Sequence, residues 1–402
     1  MSIDVKRSRG MALAVVASLG LVACQQAGGP AGAPTTAPAA APTTAAAKPT
    51  TAAAAPTTAP TAAPTAAAAA AKPTAAAAAP TTAPTAAAAA KPAAGGAALN
   101  IAFLPKAVNN PYFDTAAAGA QQAAGELGGQ FKQVGPSEAS GAAQVSFIQD
   151  LTTQKVSAIA VSAADPDAIA PALKAAMQAG VKVVGYDSSP AVGAYNVFVN
   201  QADTQGIGDT LVKMACDEAP GCEGEIAILS ATSTATNQNA WIAVMQQTLK
   251  QPEYSKLQLV DTVYGNDDDQ TSQQQAQGLL QAHPDLKVIV APTSVGIASA
   301  AKVLKDTGSA GKVQLTGLGT PNSLKAYVKD ETIKEFALWN VKDLGYLTYS
   351  VAAKLVQGEI QGTPGEKFSV PNLGDYTVGE NSVVVLGPPQ VFDAKNIDQF
   401  NF

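Results

Sequence analysis

Asn100-Ile101-Ala102-Phe103-Leu104-Pro105-Lys106-Ala107-Val108-Asn109-Asn110-Pro111-Tyr112-Phe113 decides how this chain is read. The apolar run 101–104 is short and unbroken, as in a strand covered on both faces. It stops at Pro105-Lys106, and Asn109-Asn110-Pro111-Tyr112-Phe113 opens a helix over 113–127. The same alternation continues. Apolar runs at 130–134, 158–161 and 181–186 are separated by helical segments at 142–154 and 167–179. After 197–199 the pattern restarts, with strands at 225–229, 257–263, 288–291 and 313–317 between helices at 204–216, 239–250, 270–283 and 296–307.

Repeated strand–helix–strand units predict an α/β fold with mostly parallel sheets and helices on both faces. So many parallel strands are long for one core, and the restart divides them into two similar three-layer lobes. A further helix–strand–helix unit at 322–355 is expected to return to lobe one, and a Pro- and Gly-rich tail from Gly358 to finish against lobe two. The expected boundaries are 98–201 plus 321–357 for lobe one, and 202–320 plus 358–402 for lobe two.

The preceding residues read as address and tether. Lys6, Arg7 and Arg9 stand before an apolar run, 11–22, which has the length and polarity of a secretory signal and is too short for a stable span. Leu21-Val22-Ala23-Cys24 ends it as a lipobox, so residues 1–23 are expected to be a signal peptide and Cys24 to carry lipid. Residues 24–97 then form a linker of Ala, Pro and Thr, with no acid and only Lys48, Lys72 and Lys91 for charge. Recurring proline interrupts its alanine runs, and it has no large apolar side chains to bury. A flexible chain of that length reaches about 50 Å root-mean-square. The protein is therefore expected outside the cytoplasm, anchored to a bacterial membrane by lipid.

Charge narrows the ligand. The chain carries 25 Lys and Arg against 31 Asp and Glu, and because the first 97 residues hold a net +5, the rest holds −11. An acidic body does not seek nucleic acid or anionic lipid. Both arginines lie within the first nine residues, so the folded part has no guanidinium fork for gripping carboxylate or phosphate. A neutral ligand is expected. One histidine and three cysteines exclude His-rich or Cys-rich metal modules, and no cofactor is expected.

Other chemistries lack their residues. No Gly-x-Gly-x-x-Gly opens a helix after the first strand, and Gly308-Ser309-Ala310-Gly311-Lys312 lacks the spacing of a phosphate loop. A Ser-His-Asp hydrolase would have to use His283, which precedes Pro284 where a helix ends. Asp267-Asp268-Asp269 lacks the spaced oxygen ligands of a calcium loop and reads as a solvated turn capping the next helix. Cys216 and Cys222, with five residues between them at a helix end, suit a disulfide outside the cytoplasm.

In open α/β sheets ligands bind beyond the carboxyl ends of the strands. The residues there are Lys106, Asn110, Tyr112 and Phe113 after the first strand, Ser162 after the third, and Asp187-Ser188 after the fourth. Lobe two offers Asn237, Gln238 and Trp241 after Ser230, and Pro292-Thr293-Ser294 after the run 288–291; the returning unit offers Trp339 and Asn340. One ammonium, one carboxylate, amides, hydroxyls and aromatic faces form the expected lining of a sugar site. Each also has an ordinary structural alternative: Asp187, Asn237 and Gln238 as caps or structural acceptors, the aromatics as core.

The order Phe103-Leu104-Pro105-Lys106, Asn110-Pro111-Tyr112-Phe113, Ser162-Ala163-Ala164-Asp165-Pro166-Asp167, Asp187-Ser188, Asn200-Gln201, Thr236-Asn237-Gln238-Asn239-Ala240-Trp241, Ala291-Pro292-Thr293 and Leu338-Trp339-Asn340 resembles the substrate-binding proteins of bacterial ABC sugar importers. Within them it is similar to the branch holding rhamnose-binding proteins and autoinducer-2 receptors. The resemblance spans essentially everything after residue 98. It implies a type I periplasmic-binding fold with a three-segment hinge, a sugar enclosed between lobes, and a monomer that delivers it to an ABC permease and its ATPase subunits. The autoinducer-2 receptors bind through a lysine, an aspartate, an Asp-Gln pair and a Pro with a nearby Ala. Lys106, Asp187, Gln238 and Pro292 match, whereas Asn237 and Ser294 depart and favour rhamnose; ribose-binding relatives have arginine where this chain has Ser188. The two other classes to weigh are an enzyme on the same sheet architecture and a repressor-type regulator, which would need a DNA-binding helix pair where this chain has its lipobox.

Overall fold

A computed structural model describes residues 99–402; the signal, Cys24 and the linker lie outside the described residues. The first lobe begins with β1 (Asn100–Leu104), α1 (Pro111–Leu127), β2 (Gln130–Gln133), α2 (Gly141–Thr153), β3 (Ala158–Val161), α3 (Pro166–Gln178), β4 (Lys182–Tyr186) and β5 (Val197–Asn200). The second takes α4 (Thr204–Glu218), β6 (Gly224–Ser230), α5 (Thr236–Thr248), β7 (Leu257–Tyr264), α6 (Asp269–Ala282), β8 (Leu286–Ala291), α7 (Ser294–Asp306), β9 (Gln314–Gly317), α8 (Pro321–Lys329) and β10 (Glu335–Leu338). α9 (Val341–Gln357) follows, then β11 (Lys367–Val370), β12 (Gly374–Thr377), β13 (Val383–Val385) and β14 (Gln390–Asp393).

The first sheet runs β13-β5-β4-β3-β1-β2, all parallel, and the second β7-β6-β8-β9, also parallel. Residues 101–104 are at most 1% exposed, with Ile101 opposite Ala158 and Leu104 opposite Val161. Helices on both faces cover these strands, which is why their sequence is continuously apolar rather than alternating. Helix starts are fixed locally. The Asn110 side chain accepts from Tyr112 N and Asp165 from Asp167 N and Ala168 N, each with proline next in the chain.

The return to lobe one falls later than residue 321. α8 packs against α7, and β10 pairs antiparallel with β14, bridging to the second sheet through Leu318 and Ala337. Phe336 of β10 stacks on Phe392 of β14 with ring centroids 5.1 Å apart, so burying these rings keeps 321–338 with lobe two. Only α9 crosses back. It lies against α1 so closely that a Cβ on Gly119 would meet the Lys342 carbonyl oxygen at 1.8 Å, and one on Gly345 the Ala116 carbonyl oxygen at 1.8 Å. Glycine at both positions permits that backbone contact.

The tail also divides. Asn372 on the β11–β12 hairpin donates to Tyr346 of α9, β13 extends the first sheet beside β5, and β14 with the residues after it joins lobe two, where Lys325 of α8 donates to the Phe400 carbonyl. Among the described residues the chain thus passes between lobes three times, at 201–203, 339–340 and 386–389. Cys216 and Cys222 are joined as a disulfide, Cα–Cα 4.4 Å, at the end of α4.

Candidate functional site

The carboxyl ends of β1, β4, β6, β7 and β8 converge on one cavity of about 370 Å3 of empty space between the lobes. Its centre is Asp187, the first residue after β4. Asp187 has φ 58, a left-handed conformation that Asp and Asn adopt more readily than most residues. Its carboxylate collects four donors. Oδ1 accepts from the Tyr112 hydroxyl at 3.2 Å and Asn237 Nδ2 at 3.0 Å, while Oδ2 accepts from Ser162 Oγ at 2.7 Å and faces Lys106 Nζ at 3.3 Å.

Asp187 and Lys106 are 4% and 3% exposed, so the pair is withdrawn from water and each charge depends on the other. Lys106 also reaches across the cleft to Asn237 Oδ1 at 3.5 Å. The lobes are further stitched by Ser188 Oγ to Thr236 Oγ1 at 3.0 Å and by Thr234 Oγ1, which donates to the Ala164 carbonyl at 2.8 Å.

Lobe two holds its amides differently. Gln238 Oε1 accepts from Ser230 Oγ and Ala231 N, both at 2.8 Å, which fixes the side chain to the end of β6 and leaves its NH2 group for the cavity. Asn237 does not cap α5; Ala235 is the capping residue there, and Asn237 instead turns to Asp187 and Lys106.

Aromatic rings close the apolar side. Trp339 lies 5.8 Å from Trp241 and 6.2 Å from Tyr112, and Tyr112 lies 5.2 Å from Phe113, centroid to centroid. Trp339 Nε1 donates to the Tyr112 hydroxyl at 3.1 Å, which in turn donates to Asp187, making a polarised relay that ends on the carboxylate. Burial, then the Asp187 charge, pushes the Tyr112 phenol well above its ordinary range, so it stays a neutral donor.

Of the residues singled out in sequence, Lys106, Asn110, Tyr112, Phe113, Asp187, Asn237, Gln238, Pro292, Ser294 and Trp339 all line the cavity. Asn340 does not. It is exposed, and its side chain accepts from Lys342 N and Asp343 N as the cap of α9. The cavity also takes in Asp267, which the sequence assigns to a solvated turn, Thr293, Leu338 and Trp241, which the sequence places at strand ends without a firm ligand role, and Leu318, which it does not single out. The strand-end rule could have found Asp267, three residues beyond β7, where Thr293 Oγ1 donates to its Oδ1. The turn is not wholly solvated: Asp268 caps α6, but Asp267 faces the cavity. Burial raises the Asp267 carboxyl from its usual range, against the opposing pull of Lys106 and the Thr293 bond.

His283 pairs with Asp261 at 3.3 Å and is not part of the lining. Among the described residues no group of three or more His, Cys, Asp or Glu side chains could hold a metal.

Two sheets of parallel strands joined by three crossings, with a polar and aromatic cavity between them, define a type I solute-binding architecture. Residues 101–360 match the periplasmic binding protein domain family, and the chain belongs to it. A sugar ABC transporter protein of Actinomyces odontolyticus is 46% identical, TM-score 0.62, covering 77% of this chain and 100% of that one. An ABC transporter solute-binding protein of Clostridium phytofermentas with bound L-rhamnose is 38% identical, TM-score 0.73, over 76% and 98%. The D-ribose/D-allose-binding protein of Pseudomonas aeruginosa is 24% identical over 64% of this chain and 82% of its own. The protein is a solute-binding component and not an enzyme, and its family implies an extracytoplasmic location. Among the described residues no helix is long and apolar enough to cross a membrane.

Proposed function

We propose that the protein captures a neutral monosaccharide, L-rhamnose first among candidates, between its lobes and presents it to an ABC permease with its ATPase subunits. One observation carries this reading. Donors and acceptors from both lobes, Lys106 and Asp187 on one side and Asn237 and Gln238 on the other, meet in a cavity floored by Tyr112, Trp241 and Trp339. Sugar hydroxyls exchange with such groups bond for bond, and the ring's apolar face covers an aromatic. Because Lys106 and Asp187 bond Asn237 across the cleft, a ligand that inserts between them replaces contacts that already hold the lobes together. Such a ligand favours the closed arrangement only by as much as its own bonds to both lobes outweigh the contacts it replaces.

The rhamnose-bound relative at 38% identity supports the choice of sugar. A second reading, reception of autoinducer-2, is favoured by Lys106, Asp187, Gln238 and Pro292 in the lining and by the likeness to LsrB of Clostridium saccharobutylicum in complex with AI-2, 28% identical with TM-score 0.71 over 75% of this chain and 99% of that one. Ribose and xylose remain further candidates. Calorimetric titration of the purified protein with L-rhamnose, D-ribose, D-xylose and AI-2 tests these. At 100 times its dissociation constant the true ligand also adds about 2.7 kcal/mol to folding stability, visible as a thermal shift. No heat and no shift with any neutral sugar ends the monosaccharide reading.

The same proposal ties the protein to the membrane through lipid on Cys24. Cys24→Ala is expected to move it from the membrane to the soluble fraction, and retention of that variant would refute the anchor.

A further inference from the structure

The two carboxylates of the cleft differ in what they have left to offer. Asp187 is saturated: Tyr112 and Asn237 occupy Oδ1, Ser162 and Lys106 occupy Oδ2, and two donors per oxygen fill the acceptor capacity of a carboxylate. A ligand hydroxyl reaches it only by displacing one of these. Asp267 is half-filled. Thr293 donates to its Oδ1, and among the described residues nothing donates to its Oδ2. Asn266 and Asp267, at φ 57 and 52, form a left-handed pair that turns this side chain off the end of β7 and into the cavity lining.

The charges are unequal in the same way. One lysine and two aspartates line the cavity among the described residues, Lys106 with Asp187 and Asp267, and the lysine is within 4 Å of Asp187 only. Asp267 therefore has no ion-pair partner of its own among the described residues.

We propose that Asp267 is the specificity-determining carboxylate of the cleft, accepting a ligand hydroxyl through its open oxygen and excluding sugars that carry a carboxylate or phosphate. This rests on the sugar-binding reading. An anionic sugar would bring a second unpaired negative charge beside Asp267 inside a space partly withdrawn from water, where like charges repel more strongly than at the surface. A neutral sugar meets the same oxygen as an acceptor and gains a charge-assisted bond.

Titration calorimetry with L-rhamnose and with D-galacturonate, on the parent and on Asp267→Asn, tests it. Asparagine matches the side chain in size, tolerates the left-handed backbone and keeps an oxygen for Thr293, so the fold is expected to survive. The expected result is a roughly tenfold or greater loss of L-rhamnose affinity, the cost of removing a charged acceptor, together with D-galacturonate binding that the parent lacks. Asp268→Asn removes an equal charge one residue along, from an exposed helix cap that asparagine can also fill, and is expected to change neither affinity. An Asp267→Asn protein that folds and binds L-rhamnose within threefold of the parent overturns the acceptor role. A parent that binds D-galacturonate as tightly as L-rhamnose overturns the charge filter, and this arm needs no variant. A parent that binds none of the neutral sugars removes the sugar reading itself, and this inference with it.

Discussion

The two faces of the cleft are built on the same rule and finished differently. On lobe one, Lys106, Tyr112, Ser162 and Asp187 sit at the ends of strands and at the start of α1, and they satisfy one another before any ligand arrives. On lobe two, Gln238 and Asp267 are each tied down by one end, to Ser230 and Ala231 or to Thr293, and keep the other end open. A closed network holds its shape because every member is already bonded, so it serves as a rigid wall. Groups anchored at one end are positioned without being consumed, so they keep a donor or an acceptor free for a ligand. The common sheet architecture gives no hint of this division; the hydrogen bonds do.

Removing the centre of the closed face gives the largest effect. Asp187→Ala leaves Lys106 buried without its counter-charge and Ser162 and Tyr112 without their acceptor, and breaking such a pair costs about 3–5 kcal/mol. Thermal melts are expected to show a clear loss of stability along with at least a tenfold loss of sugar affinity. If the variant melts like the parent, the closed face is not the rigid wall described here. Replacing Cys216 and Cys222 by serine releases a six-residue separation at the back of lobe two and should cost about 2 kcal/mol in a denaturant melt while leaving sugar affinity unchanged. A change in affinity there would mean that the far end of α4 communicates with the cleft. Asn237→Ala removes the amide that reaches from lobe two to Asp187, a bond to a charged group, and is expected to weaken sugar binding about tenfold by calorimetry. An unaffected variant would show that the lobes do not use this bridge in the bound state. Smallest of all, Asp217→Ala removes only an exposed pair with Lys213 within one helix and should shift the melt by less than about 0.5 kcal/mol. A larger shift would set the surface of α4 apart from ordinary surface pairs.

Much of this was legible in the sequence because the information is local. Unbroken apolar runs such as 158–161 fix the strands, and the rule that ligands gather at strand ends leads straight to Lys106, Asp187 and Pro292. What stayed hidden depends on partners far along the chain. Asn340 and Asn110 look alike in sequence, each capping a helix, yet one faces the cavity and the other solvent. Asp267 was masked by two neighbouring acids that do behave as a solvated turn. The late return of the chain to lobe one rests on contacts across more than two hundred residues, Gly119 with Lys342 and Gly345 with Ala116, which no window of sequence displays.

The chain has two tryptophans, and Trp241 and Trp339 both line the cavity, one on α5 of lobe two and the other on a segment where the chain passes between lobes. Their rings lie 5.8 Å apart, near enough to sense each other's surroundings. With no third indole to dilute the signal, the protein carries its own optical gauge. Any molecule that settles in the cleft, or any swing of the hinge, changes the polarity around the whole population of emitters at once, so occupancy can be followed in the unlabelled protein by the colour of its emission.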